Sequence, residues 1–340
     1  MVARVVLLGT AGGPPLWHGS DRRGISSAVV VGDRYYLIDA GYGVLDQVVA
    51  AELGNRRPNY GGPLDCLQGV FITHLHSDHV VDLSNVLLLG VSNGLPLADC
   101  PVPIWGPGNR GVAPLALGNG PAPDLVAPQC PTPGTVQTVD LLVQAFAVDF
   151  NDRARNVKRP TPTELFDARD VPLPAKLLKD PNGTSHPRMS PVVFFEDSLV
   201  RVSATLVDHA PIFPALAYRF DTEEGSVVFS GDTAPSDNLV ELATDADVLV
   251  HEVIDAEWVL AKFPEPRSAA DESKVRHHLN SHTRVEDVGA VAERAGVHTL
   301  ALSHLVPGNW PVEKWEKAGK SFSGELIVGS DLDSIPLRRW

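Results

Sequence analysis

The run Thr73-His74-Leu75-His76-Ser77-Asp78-His79 constrains this chain more than any other stretch. It ends the apolar segment Gly69-Val70-Phe71-Ile72-Thr73, which reads as a buried strand, and it packs three histidines and an aspartate into six positions. In extended backbone His74 and His76 point to the same side. Asp78 and His79 follow where the strand gives way to helical spacing over residues 80–89, so they approach from a second direction. Borderline metals such as zinc take such nitrogen and oxygen donors at about 2.0–2.2 Å. The other use of such a run is a solvated histidine-rich turn; spacing and donor chemistry favour a metal site.

The remaining chain has room for a large core. Of 340 residues, 44% are hydrophobic, enough for one large domain or two ordinary ones. Twenty-eight basic against 42 acidic residues leave a net charge of −14, a poor footprint for nucleic acid, whose phosphates are met by Lys and Arg. That balance still permits a local basic patch. Cys66, Cys100 and Cys130 are widely spaced and odd in number, so they read as reduced thiols. The opening residues are too short an apolar stretch for a secretory signal, and no apolar run spans a bilayer. The expectation is a soluble, cytoplasmic protein with no membrane partner.

Short strands are predicted at 5–8, 27–31, 35–38, 103–105, 199–207, 215–220, 226–230, 247–250, 299–302 and 326–328, with helical spacing at 44–53 and 285–295. Residues 56–65 read as a polar loop and 107–134 as mostly loop, whereas 136–148 could be a helix. Residues 150–191 are rich in proline and carry Arg153, Arg155, Lys158 and Arg159. They read as a solvated excursion, with a polyanion-binding arm, a lid or a homodimer contact as the other uses of such a length. Several strand ends carry His or Asp, which is how open α/β folds build sites. No linker divides two cores, so residues 1–340 are taken as one domain with an insertion around 150–191.

The H-x-H-x-D-H run resembles the metallo-β-lactamase superfamily, and nearly the whole chain resembles its ribonuclease Z and arylsulfatase-like branch. The resemblance implies an α/β fold, an αββα sandwich carrying a two-metal centre. Taken singly, His209, Asp232 and His304 are ordinary strand-end residues; in order and context they match the later family motifs. The resemblance then assigns one metal to His74, His76 and His209, a second to Asp78, His79 and His304, and the bridge to Asp232. Two zinc ions suit this set, and manganese or iron accept it as well. Asp39, at a strand end where aspartate is ordinarily a turn former, corresponds to the family's partner of the histidine motif and would fix an imidazole tautomer. Val250-His251-Glu252 and Asn280-Ser281-His282-Thr283 resemble elements in which a glutamate braces a histidine near the leaving group. That implies His282 as proton donor oriented by Glu252, with Asp78 steering a metal-bound hydroxide. Otherwise His282 is a loop residue ahead of a Thr283-x-x-Glu286 capping box. His277 and His278 read as solvated.

Two departures shape the functional expectation. Bacterial ribonucleases Z usually insert a tRNA-binding arm where this chain runs from Asp221 almost directly to Gly225, and they commonly carry an arginine soon after the last metal histidine, where this chain reads His304-Leu305-Val306-Pro307-Gly308. With the acidic balance, these favour an arylsulfatase-, phosphodiesterase- or lactonase-like hydrolase of a small-molecule ester, with nucleic acid an unlikely partner. The alternatives are a ribonuclease Z-type tRNA 3′-processing endonuclease and a non-catalytic metal-binding member. Trp17, Phe213 and Trp310 sit in loops near the motifs and are candidates for an apolar substrate wall.

Overall fold

The computed structural model describes residues 3–54, 62–99, 101–116 and 122–339. Cys100, Leu117 and the first part of the 56–65 loop lie outside the described residues. Among the described residues fourteen strands form two seven-stranded sheets. The first contains β1 (Ala3–Gly9), β2 (Ser26–Val31), β3 (Arg34–Ile38), β4 (Leu67–Phe71), β5 (Val102–Gly106) and β6 (Phe166–Asp170). The second contains β7 (Val192–Glu196), β8 (Arg201–Leu206), β9 (Leu216–Asp221), β10 (Ser226–Phe229), β11 (Val248–Ile254), β12 (Thr299–Val306) and β13 (Glu325–Val328). The last strand, β14 (Ser334–Pro336), returns to the first sheet and pairs with β1.

The sheets follow one plan. In the order β14-β1-β2-β3-β4-β5-β6 the first three pairings are antiparallel and the last three parallel; β7-β8-β9-β10-β11-β12-β13 repeats that pattern. No internal sequence repeat announces it.

Central strands are buried on both faces, which is why they read as unbroken apolar runs. Val5 and Leu7 of β1, Tyr36 and Ile38 of β3, and Phe71 of β4 point into the core between the sheets. Their neighbours Val6, Leu8, Tyr35, Leu37 and Val70 point outward, under helices that include Val44–Ala50, Leu83–Gly90 and Thr135–Ala145. The second sheet is covered likewise by Asp237–Leu242 and Val285–Ala295. Layers therefore run helix, sheet, sheet, helix, an α/β single domain. Between the sheets Phe71 meets Phe220 edge to face at 5.0 Å, and the Tyr218 hydroxyl donates to the Ile72 carbonyl at 2.7 Å. That bond ties β9 to the end of β4, where the histidine run begins.

Residues 150–191 are more ordered than their composition suggests. They hold the end of a helix over Ala147–Val157 and the edge strand β6. Among the described residues no helix is long and apolar enough to cross a membrane.

Candidate metal centre

Both sheets aim the parallel strands' C-terminal ends at one place. His74 and His76 follow β4, and Asp78 and His79 lie in the short helix Ser77–Val80. His209 follows β8, Asp232 follows β10, and His304 lies within β12. Their side chains form two groups sharing Asp232: His74, His76 and His209 on one side, Asp78, His79 and His304 on the other.

His304 reaches the site through a local irregularity. Glu252 pairs with Ser303 but Val253 pairs with Leu305, so His304 is an extra, bulged residue, and its φ of 46° is left-handed. Bulges re-aim side chains, and strained backbone of this kind collects at functional sites. Asp39 at the end of β3 has the same character, with φ of 59°. Gly12 makes room for His304: a Cβ there would fall 2.4 Å from its Nδ1.

Donor geometry fits cations. His74 Nε2 and His209 Nε2 each lie 3.8 Å from Asp232 Oδ2, and 2.9 and 3.2 Å from His76 Nδ1. In the second group His79 Nε2 and His304 Nε2 both stand 3.3 Å from Asp232 Oδ1, and 3.6 and 3.3 Å from Asp78 Oδ2. Tetrahedral donors around a metal at 2.0–2.2 Å stand about 3.3–3.6 Å apart, the spacing of the second group, while the first group spreads about it from 2.9 to 3.8 Å. His79 Nε2 and Asp232 Oδ1 are buried without a hydrogen bond, as expected of atoms aimed at an ion.

The partners behind the donors set their tautomers. Asp39 Oδ2 accepts from His79 Nδ1 at 2.8 Å and from the Thr73 hydroxyl at 2.9 Å, while Oδ1 accepts the Thr73 amide. His209 Nδ1 donates to the Ser281 carbonyl at 2.8 Å. Each leaves Nε2 free to coordinate. Burial would raise the Asp232 carboxyl, but the imidazoles of His304, His79 and His74 hold it well below the usual range. Burial pushes the His74 and His209 imidazoles down. Burial also opposes charge on His79, yet Asp232, Asp39 and Asp78 push it well up, so the fold has prepared this spot for positive charge.

Glu252 Oε1 accepts from His282 Nδ1 at 3.0 Å and from the amides of Thr233 and Thr283 at 2.9 and 3.2 Å. Burial disfavours the His282 imidazolium, but Glu252, Asp232 and Asp78 outweigh it and push the pKa up to about 9. The capping box is not formed: Arg284 starts the helix Val285–Ala295, and the Thr283 hydroxyl donates to the Thr233 carbonyl.

A cleft of about 400 Å³ opens over His76, Asp78, Asp232, His282 and His304. Trp17 lines it. Phe213 is buried and lines a separate pocket on the other side of His76, and Trp310 packs near Trp315 behind the second sheet. His277 and His278, expected to be solvated, line the cleft instead, and burial drives the His277 pKa to about 4. Trp258 and Lys262 complete that wall and were not anticipated. Spacing hid the two histidines, because the helix Ala269–Asn280 buries only Val275; Trp258 and Lys262 lie on the separate helix Ala256–Lys262.

Fold and site define a metal-dependent hydrolase of the metallo-β-lactamase fold. The metallo-β-lactamase fold protein YhfI from Bacillus subtilis superposes with a TM-score of 0.58 at 16% identity, over 99% of this chain and 100% of that one. Human tRNase Z, short form, gives 0.60 at 16% identity, over 98% of each chain. No protein-family model matches. Ribonuclease Z of Mycobacterium bovis is 31% identical over 337 residues, 97% of both chains. This chain belongs to the ribonuclease Z family.

That relationship overturns the expectation of an arylsulfatase-like hydrolase of small-molecule esters with nucleic acid an unlikely partner. The departures behind it are real but peripheral. Asp221 to Ser226 is a tight hairpin closed by Thr222, with no arm. What phosphates meet is a local cluster of cations, not a charge averaged over the surface.

Proposed function

We propose that this protein is a ribonuclease Z-type endonuclease that removes 3′ trailers from tRNA precursors with two divalent cations, zinc foremost. The observation that carries the reading is 31% identity to a ribonuclease Z along 97% of both chains. The donor set supports it. His74, His76 and His209 would hold one cation, Asp78, His79 and His304 the other, with one Asp232 oxygen toward each. Bound there, paired cations supply Lewis-acid charge to activate water and neutralise the phosphate.

The chain's own residues do the rest. Asp78 orients the attacking water and takes its proton. Asp39 and the Ser281 carbonyl keep His79 and His209 in the coordinating tautomer. A tRNA end must carry a free 3′ hydroxyl to accept an amino acid, so the phosphorus–O3′ bond breaks. His282, steadied by Glu252, gives the departing O3′ its proton from Nε2.

The test is a metal-replete preparation incubated with a tRNA precursor bearing a 3′ trailer. Clean multiple-turnover cleavage at the trailer junction is expected, weakening steeply as salt rises because phosphate contacts release counterions. Intact precursor after incubation with protein carrying two metals per chain would refute the reading.

A further inference from the structure

One wall of the cleft has no part in the chemistry above, and it is aromatic. Beyond His282 the rings continue without a break. His277 lies 6.3 Å from His282, His278 5.8 Å from His277, and Trp258 6.4 Å from His278. Trp258 then meets Trp17 edge to face at 5.4 Å. The Trp17 indole N–H donates to the Gly12 carbonyl at 2.9 Å, which fixes this end of the wall to the loop beneath His304. Lys262 holds its ammonium 4.7 Å from the Trp258 ring centre and forms no ion pair among the described residues.

Such a wall offers flat apolar faces, imidazole hydrogen-bonding edges and one uncompensated cation. A nucleotide presents the complement: a flat base with polar edges, and a phosphate. Unpaired bases are held by stacking on aromatic side chains, worth roughly 5- to 150-fold in affinity per base, with cations over rings adding to it. The wall begins at His282, the residue that protonates the departing oxygen, so it borders the leaving side of the scissile phosphate. We infer that Trp258, with Trp17, His277, His278 and Lys262, forms the subsite for the unpaired base of the nucleotide whose 3′ oxygen leaves. The inference rests on the RNA reading above and deepens it.

The experiment compares wild type, Trp258→Ala and Trp258→Phe, all full-length and metal-loaded, on two precursors. One is unmodified, and the other is abasic at the nucleotide just 5′ of the scissile bond. On unmodified RNA, Trp258→Ala should lower kcat/KM by about 10-fold or more, and Trp258→Phe by about 2-fold or less. Removing the base should cost wild type a similar factor and cost Trp258→Ala nothing further. Equal rates for wild type and Trp258→Ala on unmodified RNA would overturn the inference, as would the same loss on both substrates, which marks structural damage instead of base contact. Wild type that cleaves while these factors multiply independently removes this inference alone. Wild type that leaves unmodified precursor intact removes the functional reading with it.

Discussion

At the scale of single residues, the second donor group depends on a close approach that no ligand motif shows. Gly12 leaves the space that His304 fills, and His304 has no slack because its backbone is already left-handed. Gly12→Ala should therefore cut metal content from about two per chain towards one while the chain stays folded, read by elemental analysis beside circular dichroism. His76→Ala removes a donor outright and should lose metal and activity together; full occupancy in that variant would sink the ligand assignment. His282→Ala should behave differently, keeping its metals while turnover falls roughly 10²-fold or more, as loss of a general acid does. Phosphodiesters with nitrophenolate leaving groups should suffer less, and equal losses across a leaving-group series would rule out proton donation. Only the identities of His304 and Asp39 could be read from the sequence. Both adopt positive φ without glycine, so nothing in the chain announced the backbone that aims them.

Among the elements, legibility followed burial. Strands sandwiched between core and helices, such as β2, β3 and β10, are mostly apolar, and their predicted limits fall within a residue of the true ones; β12, predicted at 299–302, runs on through polar Ser303 and His304 to Val306. β6, Phe-Asp-Ala-Arg-Asp, lies at a sheet edge with its last two residues exposed, and its charges masked it inside a proline-rich stretch. β14 is a three-residue strand ending in proline, too short for any period to show. The helix Ala147–Val157 gains a functional expectation from the RNA reading. Arg155, Lys158 and Arg159, at and beyond its end, are exposed, and Arg153 is paired with Asp149 at 2.7 Å. If this patch meets the tRNA backbone, replacing all four by Gln should weaken precursor binding and flatten the plot of log affinity against log salt by up to about 0.9 for each lost phosphate contact. An unchanged slope would assign RNA contact to another face.

For the molecule as a whole, the site lies on the seam between the two sheets. His74, His76, Asp78 and His79 come from the first half of the chain, and His209, Asp232 and His304 from the second. Cations held by both halves favour the docked state by mass action, by about 4 kcal/mol at a thousandfold excess over the dissociation constant. Chelation should then lower the melting temperature by about 5 °C or more, and zinc should restore it; a melting curve indifferent to chelator would show that docking needs no ion.

The pairing of β14 with β1 also sets an order of events during synthesis. β1 leaves the ribosome more than three hundred residues ahead of its partner Ser334–Pro336. Over that interval the edge of the first sheet stands open, with backbone amides and carbonyls available to a neighbouring chain. The nascent protein is thus exposed to mispairing while still tethered, and the edge at β1 closes only after strands β2 to β13 have been made.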